Sequence, residues 1–203
     1  MKTLTTKYCL ALVLAFISLT SRAQDSHTAD TGRPWYLPDH MVVQFAGNIG
    51  LLSVGPGYSY FRDKVQTDIL YGITPAFETQ TSIHILTAKT AYHPVKVNIN
   101  KGYILEPLRL GMGISYSIGN QFYTSWPDRY PDGYYWWTTS FRLTPFLGTS
   151  ISRSIGNGDT AIKRVQLYSE LGTHDLAIIS MVNNKHFPVG RILNIAFGTK
   201  LVF

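Results

Sequence analysis

Residues 107–119, Pro107-Leu108-Arg109-Leu110-Gly111-Met112-Gly113-Ile114-Ser115-Tyr116-Ser117-Ile118-Gly119, decide the fold. Leu108, Leu110, Met112, Ile114, Tyr116 and Ile118 occupy the even positions, and Arg109, Gly111, Gly113, Ser115 and Ser117 the odd ones. Side chains along a strand alternate between its two faces, so this stretch reads as a strand with one apolar and one polar face. The polar face is mostly Gly and Ser with a single charge. Such a face covers itself poorly with water and suits a crowded interior.

The same alternation recurs. Phe141, Leu143, Leu147 and Ile151 oppose Ser140, Arg142, Thr144 and Ser150; Val165, Leu167 and Leu171 oppose Gln166, Tyr168 and Glu170. Near the C-terminus Ile195, Phe197, Leu201 and Phe203 oppose Asn194, Gly198 and Lys200. Eight strand segments follow, at 41–47, 51–61, 65–74, 83–94, 107–119, 136–153, 162–173 and 191–203, separated by turn signals. No stretch keeps a long helical period. Most segments match the about 9–11 residues that a tilted strand needs to cross a bilayer.

Composition agrees with a walled, apolar-faced β protein. The 203 residues are 45% hydrophobic, 13% aromatic and only 15% charged, with 17 glycines, which excludes disorder and collagen-like repeats. Residues 1–23 read as a cleaved Sec-type signal peptide: Lys2 and Lys7 precede the apolar run Cys9–Leu19, and Ser21-Arg22-Ala23 forms the cleavage site. That run is too short for the ~20 residues of a spanning helix. Cleavage removes three of the 18 basic residues and none of the 12 acidic ones, so the formal charge falls from +6 to +3. No basic stripe remains to suggest a nucleic-acid partner. The single cysteine leaves as well, which excludes disulfides, thiolate metal sites and thiol nucleophiles from the mature chain. Residues 24–40 read as a flexible leader and residues 41–203 as the folded domain.

Two closed barrels produce this alternation: a soluble one with apolar residues inside, and a membrane one with apolar residues facing lipid. The polar face favours the membrane barrel. A lipid-facing Lys or Arg at the bilayer midplane costs roughly 2–4 kcal/mol, so Lys89, Arg109, Arg142 and Lys200 are expected to point inward. The expected fold is an all-β, eight-stranded antiparallel up-and-down transmembrane barrel. Its short turns would be 62–64, 95–106 and 154–161, and its outward loops 48–50, 75–82, 120–135 and 174–190.

The last segment ends Gly198-Thr199-Lys200-Leu201-Val202-Phe203. This resembles the C-terminal β-signal of outer-membrane barrels, with Gly198, Leu201 and Phe203 on the motif and Ala196 where a polar residue is usual. The domain as a whole resembles small outer-membrane barrels of the OmpX or OmpW type. That resemblance implies the outer membrane of a Gram-negative bacterium, contact with its lipid, and the barrel-assembly machinery as a partner during biogenesis. It also implies a monomer.

Three constellations are candidates for function. Asp68, Lys89, Arg109, Arg142, Glu170 and Lys200 fall on inward positions. Buried charges must be paired, and four cations against two anions leave an excess that Gln44, Gln66, Tyr168, water or an anionic ligand would share. Glu170 is expected to pair with Arg109 or Arg142. The stretch 122–137, FYTSWPDRYPDGYYWW, is dense in aromatics, among them Trp126, Tyr130, Tyr134, Tyr135, Trp136 and Trp137. It reads as a loop whose ends settle in the interfacial aromatic belt, in preference to a platform that stacks on a flat ligand. Thr173-His174-Asp175 sits where outer-leaflet acyl chemistry occurs in some barrels, but no nucleophile stands at triad spacing from it. The expectation is a non-enzymatic barrel without cofactor or metal. An outer-leaflet lipid-processing enzyme and a soluble periplasmic ligand-binding barrel are the alternatives.

Overall fold

A computed structural model describes residues 34, 36–76, 81–100, 102–119, 122, 139–155, 161–183 and 192–203. The chain divides into two compact units, residues 1–37 and 38–203, and the second holds every strand found among the described residues. Expectations for residues 1–23, most of the 24–40 leader and the aromatic loop (Trp126, Tyr130, Tyr134, Tyr135, Trp136, Trp137) lie outside the described residues.

The strands are β1 (His40–Ala46), β2 (Leu52–Tyr60), β3 (Val65–Thr74), β4 (Ile83–Tyr92), β5 (Val97–Asn100), β6 (Tyr103–Ile118), β7 (Phe141–Ser154), β8 (Arg164–Gly172) and β9 (Asn194–Val202). They form one sheet in the order β4-β3-β2-β1-β9-β8-β7-β6-β5, and β4 pairs with β6 as well. That extra pairing closes the sheet. The result is an eight-stranded antiparallel barrel of β1–β4 and β6–β9, with first and last strands hydrogen-bonded to each other. Closure leaves no edge along the wall.

Segment 95–106 is not a simple turn. It contains β5, whose Val97 and Asn98 pair with Leu105 and Ile104 of β6 across Gly102, a turn residue at φ +85°. β6 therefore starts four residues earlier than the sequence reading placed it, and a bulge between Glu106 and Arg109 explains why. Pro107 lacks an N–H and is tolerated at such a bulge. The bulge shifts the period by one residue, so Glu106 and Arg109 both face inward although three positions separate them.

The outward segment 174–190 also departs from a plain loop, since it contains helix α1 (Asp175–Asn183). Ala177 N and Ile178 N donate to the carbonyl of His174, which precedes the helix, and Leu176 N donates to the Asp175 carboxylate, which satisfies one more N–H of the first turn. In the β1–β2 connection Gly50 sits at φ +113°, where a Cβ would lie 3.0 Å from Ile73 N.

The wall is apolar outside and polar inside. Val43, Phe45, Val54, Ile69, Leu86, Leu110, Met112, Ile114, Leu147, Leu167, Ile195 and Phe197 are exposed. Gln44, Ser53, Gln66, Asp68, Thr87, Lys89, Arg109, Ser115, Thr144, Gln166, Glu170 and Lys200 are buried. Glycines make the large inward side chains fit: a Cβ on Gly198 would lie 2.2 Å from Tyr168 Cζ, and one on Gly57 would lie 2.1 Å from His40 Nε2. In each case the glycine is the cross-strand partner of the residue that fills its space.

Candidate functional site: the charged lumen

Odd-numbered inward positions on β4 carry Thr87, Lys89 and Ala91, and even-numbered ones on β8 carry Gln166, Tyr168 and Glu170. These bring charges from strands far apart in sequence onto one axis. They form three layers.

The layer nearest the loop end is built on Glu170. Lys89 Nζ donates to Glu170 Oε2 at 2.7 Å and to Gln44 Oε1 at 2.6 Å. Arg109 Nη1 stands 3.1 Å from Glu170 Oε1, an ion pair whose angle makes no hydrogen bond. The Tyr168 hydroxyl donates to Gln44 Oε1 at 2.9 Å. Its ring is flanked by three cations, Arg109 at 4.3 Å, Lys89 at 4.9 Å and Lys200 at 5.9 Å from the centroid. One aromatic ring thus lies within cation–π range of three charges.

The middle layer is built on Lys200, whose Nζ donates to both oxygens of Asp68 and to Gln66 Oε1, all at 2.8 Å. His40 Nε2 lies 2.7 Å from Asp68 Oδ1 and 3.2 Å from Lys200 Nζ. An ionised carboxylate only accepts, so Nε2 carries the proton and the lysine contact is a close approach, not a bond. Lys200, Asp68 and His40 are each 0% exposed.

The third layer, at the end where β1 begins and β9 stops, is built on Glu106. Its Oε2 accepts from His93 Nδ1 and Ser150 Oγ at 2.6 Å and from Gln166 Nε2 at 2.7 Å. Lys96 Nζ stands 3.6 Å from Oε1.

Arg142 lies apart from the other five lumen charges read in the sequence. It sits at the loop-end rim, 21% exposed, with Nη1 donating to Phe141 O at 2.8 Å and Nε 4.0 Å from Asp175 Oδ1. Glu106 enters the lumen in its place. The expected excess of cations therefore does not arise: Lys89, Arg109 and Lys200 face Asp68, Glu106 and Glu170. No anionic ligand is needed to balance these charges.

Beyond the first layer lies a cavity of about 20 Å³ bordered by Gln44, Asn48, Lys89, Phe146, Glu170 and Asn194, room for about one water. His174 caps α1 near this end. Burial lowers its imidazole pKa, the Asp175 carboxylate opposes that and Arg142 reinforces it, so the ring is held neutral more firmly than usual. Among the described residues no group of three or more His, Cys, Asp and Glu is placed to hold a metal, and no helix is long and apolar enough to cross a membrane. The absence of such a helix says nothing of strands, which cross membranes as closed barrels.

The terminal motif is placed as follows. Gly198 faces inward under the Tyr168 ring and pairs with Gln44 of β1. Leu201 pairs with Met41 and Val165 on the outer face, half-buried. Phe203 follows β9 and its N–H donates to Asp39 O. Sequence reading missed Glu106, His93 and His40 as lumen residues. For the histidines the signal was present, since His93 continues the parity of Lys89 and Ala91, and His40 that of Val42 and Gln44.

No family model matches this chain, and no curated protein or solved structure matches it either.

Proposed function

We propose that the chain is a monomeric transmembrane barrel of the outer membrane of a Gram-negative cell, with a structural or surface-interaction role carried by its loops. One observation carries this reading: Lys200, Arg109 and Asp68 are 0% exposed inside the wall, while Phe197 and Leu147 are 57% and 53% exposed outside it. In water that outer surface would be a large apolar patch, which soluble monomers avoid. In lipid it is the matched solvent, and the backbone of a closed barrel is satisfied there. Eight strands enclose a lumen that side chains fill, and three layers of hydrogen-bonded charge make this one a plug instead of a pore. In this reading Gly198, Leu201 and Phe203 present the assembly signal, and the 122–137 aromatics anchor at the outer interface.

Fractionation with gel migration tests it. The protein should sediment with outer membranes and run faster unboiled than boiled, because a folded barrel resists detergent. Release in soluble form by osmotic shock would overturn the transmembrane reading.

A further inference from the structure

The rim where β1 begins and β9 stops carries a ring of cations. Arg62 and Lys64 lie on the β2–β3 turn, Lys96 before β5, Arg153 near the end of β7, and Lys163 and Arg164 at the start of β8. All are exposed except the half-buried Arg164. Three carboxylates lie at this rim among the described residues, and all are engaged: Asp63 holds Arg164 at 2.9 Å, Asp39 accepts from Ser59 N at 2.8 Å, and Glu106, just inside, stands 3.6 Å from Lys96. The Lys96 ammonium donates to Arg62 O at 3.2 Å. Arg62, Lys64, Arg153 and Lys163 have no carboxylate within ion-pair distance among the described residues.

These four cations sit among outward apolar side chains. Tyr60 and Phe61 precede Arg62, the Arg153 guanidinium lies 5.2 Å from the Tyr103 ring centroid, and Ile155 follows two positions later, 54% exposed. A long cationic side chain beside an apolar one is suited to a membrane interface, with its stem against acyl chains and its head at phosphate level.

We infer that this rim binds the phosphate headgroups of anionic phospholipids in the leaflet it reaches, an inference that rests on the transmembrane placement proposed above. Charge complementarity and spacing both support lipid. The four cations form two groups, Arg62 with Lys64 on the β2–β3 turn and Arg153 with Lys163 flanking the β7–β8 connection, so separate headgroups can be met around the rim, and an acidic polymer would be better held by a single cleft.

The test uses the full mature protein in vesicles of phosphatidylcholine containing a minor fraction of phosphatidylglycerol, extracted gently and analysed by native mass spectrometry. Wild type should retain phosphatidylglycerol at least ~5-fold over its bulk share, since each Lys or Arg near the surface adds to the attraction. High salt should abolish the enrichment. The variant Arg62→Gln/Lys64→Gln/Arg153→Gln/Lys163→Gln should retain lipid in bulk proportion. Equal enrichment in variant and wild type, or enrichment that ignores salt, overturns the inference. So does salt-sensitive binding to purified peptidoglycan sacculi without lipid enrichment, which would assign the rim to an acidic polymer. Wild type that inserts and migrates as a folded barrel without enrichment sinks this inference alone; wild type that never inserts sinks the transmembrane reading with it.

Discussion

Lys200–Asp68 and Arg164–Asp63 are the same chemistry in two settings. Both pair a cation with an aspartate, at 2.8 Å and 2.9 Å. The first is 0% exposed on both sides and embedded in bonds to Gln66 and His40; the second leaves Asp63 34% and Arg164 19% exposed at the rim. Distance alone would rank them equal. Burial separates them, because a buried charge that loses its partner has no water to fall back on, whereas an exposed pair is screened and contributes little to begin with.

The largest expected effect is therefore in the middle layer. Lys200→Met leaves Asp68 buried without its cation and should cost about 3–5 kcal/mol of barrel stability in a urea titration of lipid-reconstituted protein. Lys200→Met with Asp68→Leu removes both charges and should recover much of that loss. A double variant no more stable than the single one would show that the layer acts through packing and not through charge.

A smaller effect is expected where Gly198 accommodates Tyr168. Gly198→Leu forces a side chain into space the ring occupies, which costs typically 1–3 kcal/mol. Tyr168→Ala in the same chain should relieve the clash, while Gly198→Leu alone should lower the temperature at which unboiled protein loses its fast migration. If Tyr168→Ala brings no relief, Gly198 matters for assembly and not for fit.

The smallest effect belongs to the rim. Asp63→Asn should cost at most ~1 kcal/mol, as for partly solvated ion pairs. Burial raises the Asp63 carboxyl pKa, but the hydrogen bond and charge of Arg164, with Lys96 behind them, outweigh it and hold the folded value below the ordinary 3.8. A depressed carboxyl stabilises the fold above its ordinary value and loses that contribution as pH falls through and below it. Wild type and Asp63→Asn should thus converge in stability as acid is added below about pH 4. A gap that persists in strong acid would refute the pairing.

The wall was legible because alternation is a local property. Val65–Thr74 was bounded correctly from sequence, and the other wall strands were recognised with boundaries shifted by a few residues. What failed was the place where the period changes phase. Pro107 looks like a strand boundary, yet β6 runs through it by bulging, and parity counted from Arg109 places Glu106 on the wrong face. That slip hid a carboxylate and, with Arg142 counted as inward, produced an apparent excess of positive charge. Arg142 failed differently: its parity is inward, but it lies one position into β7, where the lumen has already opened onto the rim and Asp175 of α1 is within reach. Helix α1 was missed because nine residues cannot display a convincing period. The pairing partners themselves were beyond reach, since Lys89 and Glu170 meet across 81 positions and nothing in either segment names the other.

The seam between β1 and β9 sets a timetable. The His40–Lys200 contact joins residues 160 positions apart, and every other strand lies between them. Closing so long a loop is slow. Until it happens, β1 offers an unpaired edge to any other strand that passes. A chain in that state must be kept from its neighbours for as long as the rest of the wall takes to arrive, so its interval of greatest vulnerability runs from the emergence of β1 to the docking of β9.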